Sequence, residues 1–377
     1  MVGWACDRHA EGATGSGRPC GRHADFPYIL RNIVNISLNL LCIFVTFHCT
    51  IEEDAIAEGD DMFHIRKAGV TARIPPHVFF FVSAIFHYLG PAFAVLLFSS
   101  VSVLGVAWFR IASAAVVFAL WRRPWRLFVG ASWAQRRILL ALGVVLALMN
   151  ACFYLAISRI PLGTVGAIEF LGPITLAALG ARTPRNIGAL LLAAAGGWLL
   201  TDVRFGGQPL GFVFAFANCA FFMLYVVLGH RIAQDGGSAG IDRLGAAMLV
   251  ALLAITPIGI SGALPAISKP LLLLAGIGVG ICSSVIPYVS DQLAMARLPR
   301  ATFALLLSLL PASAAMIGII VLHQIPTLIE IAGILLVAGG VALHKEAETR
   351  PSNRARSTDD RMVEPERLEA ASSVQTD

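Results

Sequence analysis

The chain has 377 residues, 57% hydrophobic and 14% charged, with a formal net charge of +5 and a mean hydropathy of +0.77. A soluble domain carries about a quarter charged residues, so there is too little polar surface here to cover a water-soluble globule of this size. The charges cluster in short loops and near the two ends, where basic residues orient a membrane protein. No nucleic-acid partner is indicated.

Residues 1–75 read as an N-terminal extension. Residues 26–51 are apolar but include Arg31, Asn32, Asn35, Asn39 and His48, and an acidic run follows from Glu52 to Asp61. Three readings compete: an interfacial amphipathic helix, an extra span, or an upstream extension outside the working protein. The third is preferred, because Met62 opens "MFHIRKAGV", a short basic leader. The start lacks the compact basic, apolar and small-residue pattern of a cleaved signal.

From residue 77 onward, apolar runs are long enough to cross a hydrocarbon core of about 30 Å as helices. Ten spans are predicted, at about 77–98, 101–121, 138–158, 161–181, 187–203, 209–230, 243–262, 270–290, 299–322 and 326–344. Lys and Arg gather in alternate loops. Arg122, Arg123, Arg126, Arg136 and Arg137 follow the second span, and Arg182 and Arg185 follow the fourth. Arg231 and Arg243 follow the sixth, and Arg297 and Arg300 the eighth. The positive-inside rule places those loops, and both ends of the ten-span unit, in the cytoplasm. Residues 345–377 are polar and mixed in charge, which predicts a disordered cytoplasmic tail.

The seven cysteines make no C-x-x-C pair, and no His is spaced to complete a metal site. No metal or cofactor is expected.

An internal repeat organises the spans. "FYLAISRIPLGTVGAIEFLGP" (153–173) aligns with "DQLAMARLPRATFALLLSLLP" (291–311), matching Leu155 with Leu293, Arg159 with Arg297, Pro161 with Pro299 and Pro173 with Pro311. "AAAGGWLL" (193–200) aligns with "LVAGGVAL" (336–343). The expected fold is therefore an all-α polytopic membrane protein, with residues 76–204 and 205–344 as two five-helix repeats. Five is odd, so the second repeat enters the membrane inverted. Inverted repeats build secondary transporters with a site near the midplane between the halves, although duplication of a plain scaffold gives the same pattern.

Four stretches carry a family resemblance: "GVAWFRIASA" (105–114), "YLAISRIPLGTVGAIEFLGP" (154–173), "AMLVALLAITPIG" (247–259) and "IPYVSDQLAMARLPRATFALLLSLLP" (286–311). Over about residues 77–344 the chain resembles two EamA domains of the drug/metabolite transporter superfamily, and within it the bacterial threonine/homoserine exporters. The resemblance implies a secondary exporter in the bacterial cytoplasmic (inner) membrane, with a small-molecule substrate and proton coupling. A homodimer is compatible with it. The chain departs from those exporters at Leu310, where they commonly carry Glu, and at "FHYLGPAFAV" (86–95), where their first span carries a Gln-containing motif.

Polar residues inside spans are costly and point to function. Arg110, Asn150, Glu169 and Asn218 each lie eight or nine residues from the outer end of their spans, and His87 about eleven. At about 1.5 Å per residue they share one layer near the midplane. Arg110 and Glu169 are the natural ion pair, either locking two helices or bordering a substrate site. In the second case Glu169 meets an amino group or carries the coupling proton, and Arg110 meets a carboxylate. His87 and Tyr88 precede Gly90 and Pro91, a predicted kink; His87 is a second proton candidate or a satisfied buried histidine. Asn150, Tyr154, Asn218 and Tyr225 either line the cavity or bond between helices. Tyr288 and Asp291 lie toward the cytoplasmic end of the eighth span, where Asp291 is a gate or a plain interface residue. Pro173 and Pro311, at equivalent repeat positions, are expected hinges.

The competing functions are export of other metabolites or drugs, a membrane enzyme, and a non-transporting scaffold. Against an enzyme, the sequence has no H-E-x-x-H, no G-x-S-x-G and no nucleotide-binding glycine loop.

Overall fold

A computed structural model describes residues 31, 34, 35, 75–180, 183–202, 208–233, 238–295 and 309–343. The described residues contain helices and no strand. The choice among readings for residues 26–51, the tail, and residues 296–308 at the start of the ninth predicted span lie almost wholly outside them.

Helix α1 (Pro76–Leu97) starts with proline at its first turn, where a missing N–H costs nothing. Helix α2 (Val103–Arg122) is capped by Ser102, whose hydroxyl accepts from the Gly105 N–H at 3.1 Å. It stops where Arg123 turns left-handed at φ 48°. A short helix α3 (Arg126–Gly130) then occupies the basic loop. Helix α4 (Trp133–Ile157) begins five residues before the predicted span. Its start is fixed by a capping box in which Ser132 Oγ accepts from the Gln135 N–H and Gln135 Oε1 from the Ser132 N–H, a device worth about 1 kcal/mol.

Helices α5 (Leu162–Gly180) and α6 (Pro184–Asp202) complete the first half. Helices α7 (Pro209–Ala233) and α8 (Ser238–Ile267) follow. The predicted eighth span is not one regular helix. It consists of α9 (Pro270–Gly280), a π-helical turn at Ile281–Val285, and α10 (Ile286–Met295). Helices α11 (Leu310–Leu322) and α12 (Leu328–Leu343) end the described chain.

Six of the described helical stretches are long and apolar enough to cross a membrane. The solvent-side faces agree with that environment. Leu191, Trp198, Leu253 and Leu335 are 66%, 73%, 74% and 62% exposed. Such side chains on every side of a water-soluble bundle would be an aggregation hazard; against lipid they are the expected surface. The chain is a multi-pass membrane protein.

Lipid supplies no hydrophobic drive between helices, so close backbone contact has to hold them. Gly105 of α2 meets Gly262 of α8 so tightly that a Cβ would lie 2.5 Å from the Gly262 carbonyl. Gly196 of α6 meets the Gly333 carbonyl of α12 in the same way. Beside the first crossing, Trp108 Nε1 donates to Thr256 Oγ1 at 3.0 Å. The main packing pairs are α2 with α8 and α9, α4 with α7 and α8, and α6 with α12. Helix α5 packs on α6, α7, α11 and α12, and α1 packs on α9, the π turn, α10 and α11.

Candidate functional site

Glu169 owes its burial to its own helix. In "GTVGAIEFLG" (163–172) glycines recur every three residues, at 163 and 166 before it and at 172 after it. Residues three apart share a helix face, so Glu169 stands in a stripe of glycines. Gly163 lies against Ala315 and Gly166 against Ala314 of α11, and Gly172 lies against Cys219 and Met223 of α7. Neighbouring helices therefore close on the carboxylate, which is 6% exposed.

Its contacts are few. Glu169 Oε1 accepts from Asn218 Nδ2 of α7 at 3.3 Å. Glu169 Oε2 is buried and has no hydrogen-bond partner among the described residues, and neither does Asn218 Oδ1. Tyr88 of α1 is fully buried and its hydroxyl likewise lacks a partner. That hydroxyl stands one turn up the stripe, 3.2 Å from where a Gly166 Cβ would be. His87 packs edge-on to Tyr88, with ring centroids 5.2 Å apart.

Arg110 of α2 is 5% exposed and is not held by Glu169. The ion pair suggested by the sequence is not made. Arg110 Nε donates to Ser284 Oγ and Nη2 to the Ser283 carbonyl, each at 3.1 Å. The second bond lies where the chain leaves the regular α-helical ladder: Ser283 is in the π turn, Pro287 has no N–H to give, and Gly90 of α1 packs directly against Ser283. The guanidinium also lies over the rings of Phe153 and Tyr154, at 5.9 and 5.6 Å, a cation–π arrangement.

The remaining sequence candidates fall into two groups. Tyr154 is fully buried, with its hydroxyl beside Arg110 and Ser283. Tyr288 is half-buried within the electrostatic reach of Arg110, Glu169 and Asp291. Asp291 approaches the Ser83 hydroxyl of α1, and that hydroxyl donates to the Pro287 carbonyl at 3.3 Å. Tyr225 stacks on Phe222 of its own helix, with centroids 6.0 Å apart. Asn150 stands apart: its amide donates to the Leu146 carbonyl at 2.8 Å, within its own turn. Gly90 and Pro91 lie inside α1 and Pro173 inside α5, while Pro311 sits in the first turn of α11. Sequence reasoning missed Ser283 and Ser284. The signal available was a serine pair four and three residues before a proline in an apolar run.

The described residues form a helical membrane bundle with buried polar groups between its helices, an architecture that membrane transporters share. The EamA-like transporter family model matches residues 209–344. The chain is 34% identical over 248 residues to the threonine/homoserine exporter RhtA of Escherichia coli K12, covering 64% of this chain and 81% of that one. It is 33% identical over the same length to RhtA of Salmonella typhimurium SL1344, with the same coverage. The chain belongs to the EamA-like transporter family and stands close to the RhtA subgroup.

Proposed function

We propose that this protein exports small zwitterionic metabolites, threonine- and homoserine-like amino acids, by proton-coupled alternating access at a midplane site between two inverted repeats. One observation carries the reading. A carboxylate on α5 and a guanidinium on α2, each about 95% buried, lie within electrostatic reach of one another yet make no direct ion pair, each bonding other groups instead. A buried charge without a direct ion-pair partner costs several kcal/mol. A ligand bearing an ammonium and a carboxylate relieves both costs at once. The RhtA relatives, named as threonine/homoserine exporters, support that ligand class.

The helix packing supports the inverted repeat. Exchanging α1, α2, α4, α5 and α6 for α7, α8, α9–α10, α11 and α12 carries the pair α4 with α7 into α10 with α1. It carries α4 with α8 into α9 with α2, and α5 with α7 into α11 with α1. The pairs α2 with α8, α5 with α11 and α6 with α12 map onto themselves. These pairs support two like halves related by a two-fold axis, and such halves rock about a shared site. The basic loops support a cytoplasmic location for both ends of the unit, in a bacterial inner membrane.

Coupling follows from exclusion. Glu169 holds either a proton or the substrate ammonium, not both, so release of one accompanies uptake of the other. This is what proton antiport requires. Efflux of labelled threonine and homoserine from cells overproducing the chain tests the assignment. Efflux no faster than in cells carrying an empty vector refutes it.

A further inference from the structure

Three buried oxygen atoms gather around one turn of α5 without hydrogen-bond partners among the described residues: Glu169 Oε2, Asn218 Oδ1 and Tyr88 Oη. Each belongs to a residue at least nine-tenths buried, at 6%, 0% and 0% exposure. They are physically linked. Asn218 is tied to Glu169 through its amide nitrogen, which leaves the oxygen of the same amide as an unmet acceptor close by. Tyr88 Oη rests at Gly166, one turn from Glu169 on the same glycine stripe. The three come from α7, α5 and α1, so no single helix has its own reason to keep them there. Each unmet polar atom costs about 1–3 kcal/mol, and natural cores rarely carry such a group without a use for it.

All three atoms can accept a hydrogen bond. A carboxylate oxygen and an amide oxygen are acceptors only, and a phenol oxygen accepts as well as donates. A primary ammonium offers three N–H donors. A quaternary ammonium offers none, and a carboxamide nitrogen carries no charge for Glu169. We propose that Glu169, Asn218 and Tyr88 form a three-point cradle for a primary ammonium group, so that this site selects for an unsubstituted amine. This rests on the exporter reading above but is narrower. It says that N-methylation or N-acylation is rejected here, and that Tyr88 contributes to recognition through its oxygen alone.

The purified full-length chain in lipid nanodiscs separates the possibilities. L-Threonine, N-methyl-L-threonine, N,N-dimethyl-L-threonine, N-acetyl-L-threonine, L-threoninol and sodium chloride are compared by the rise each gives in thermal stability over a concentration series. The cradle predicts a midpoint that weakens stepwise with each added methyl group and is lost on acetylation. It predicts that threoninol, which keeps the amine and lacks the carboxylate, still binds. Tyr88→Phe deletes an atom with no partner, so the ligand-free protein melts no lower than the parent, while the midpoint for threonine weakens about tenfold or more. Equal binding of threonine and its dimethyl or acetyl forms overturns the cradle and leaves the exporter reading standing. An unchanged midpoint in Tyr88→Phe, or stabilisation by sodium with none by threoninol, also overturns it. Binding of threoninol without binding or efflux of any amino acid supports the cradle and refutes the amino-acid assignment. The methylation series needs no variant, so a failure of Tyr88→Phe to fold does not remove the test.

Discussion

Ser284→Ala is the sharpest probe of how Arg110 is held. The hydroxyl accepts from Arg110 Nε at 3.1 Å in a buried setting, and alanine removes it without changing charge or adding volume. A hydrogen bond to a charged group is worth about 1.5–3 kcal/mol. The N–H left behind has no route to water, because Arg110 is 5% exposed and lies over Phe153 and Tyr154. The expected loss is about 2 kcal/mol of native-state stability. If the guanidinium also swings away from the site, substrate affinity falls by a comparable factor, about thirtyfold. The assay is paired: thermal unfolding of purified protein with and without threonine, and initial rates of threonine efflux across a range of internal concentrations. Ser283→Ala is the internal control, since its backbone carbonyl, and so the second bond to Arg110, survives the change. A Ser284→Ala protein indistinguishable from the parent in both measurements refutes the claim that the π turn positions Arg110.

Three further outcomes follow from the geometry. A Cβ at Gly166 would lie 2.8 Å from Ala314 Cβ and 3.2 Å from Tyr88 Oη, well inside the ~4 Å of ordinary contact; Gly166→Ala should therefore cost about 1–3 kcal/mol and slow efflux, read by melting temperature and transport rate. Asn218→Leu strips Glu169 of its one described hydrogen bond and should cost about 1–3 kcal/mol, whereas Glu169→Leu combined with Asn218→Leu should melt higher than Asn218→Leu alone, because a dry apolar pair replaces a buried unpaired charge. The Arg122–Asp242 bridge, 2.6 Å long with both side chains 28% exposed, should be worth no more than about 0.5 kcal/mol, so Arg122→Ala should leave the melting temperature nearly unchanged.

The helices were legible because lipid imposes one requirement on every crossing segment: about 20 apolar residues with their backbone groups bonded internally. Boundaries set by apolar composition alone were less secure. Helix α4 starts at Trp133 because Ser132 and Gln135 cap it, drawing Arg136 and Arg137 into the helix and away from the loop. The break at Ile281–Val285 left no mark in hydropathy, since "ICSSV" is as apolar as its surroundings and fully buried. Glu169 and Asn218 were legible as polar residues at one depth and Tyr88 as a residue beside a predicted kink, and the structure brings the three to one part of α5. The partner of Arg110 was not legible. Pairing opposite charges is the simplest expectation from a sequence, but a main-chain carbonyl in the π turn offers a buried guanidinium an acceptor that no residue type announces. Asn150 shows the reverse: it shares the layer, yet its amide is satisfied by Leu146 within its own helix.

Under the proposed function, Glu169 exchanges a proton for the substrate. Full-length protein in proteoliposomes, preloaded with labelled threonine and given an imposed pH gradient, tests it directly, with Glu169→Gln measured beside the parent. The gradient should drive threonine uphill in the parent, whereas Glu169→Gln, unable to carry the proton, should leave it at equilibrium. Uphill transport by Glu169→Gln with the parent's dependence on the gradient would contradict it.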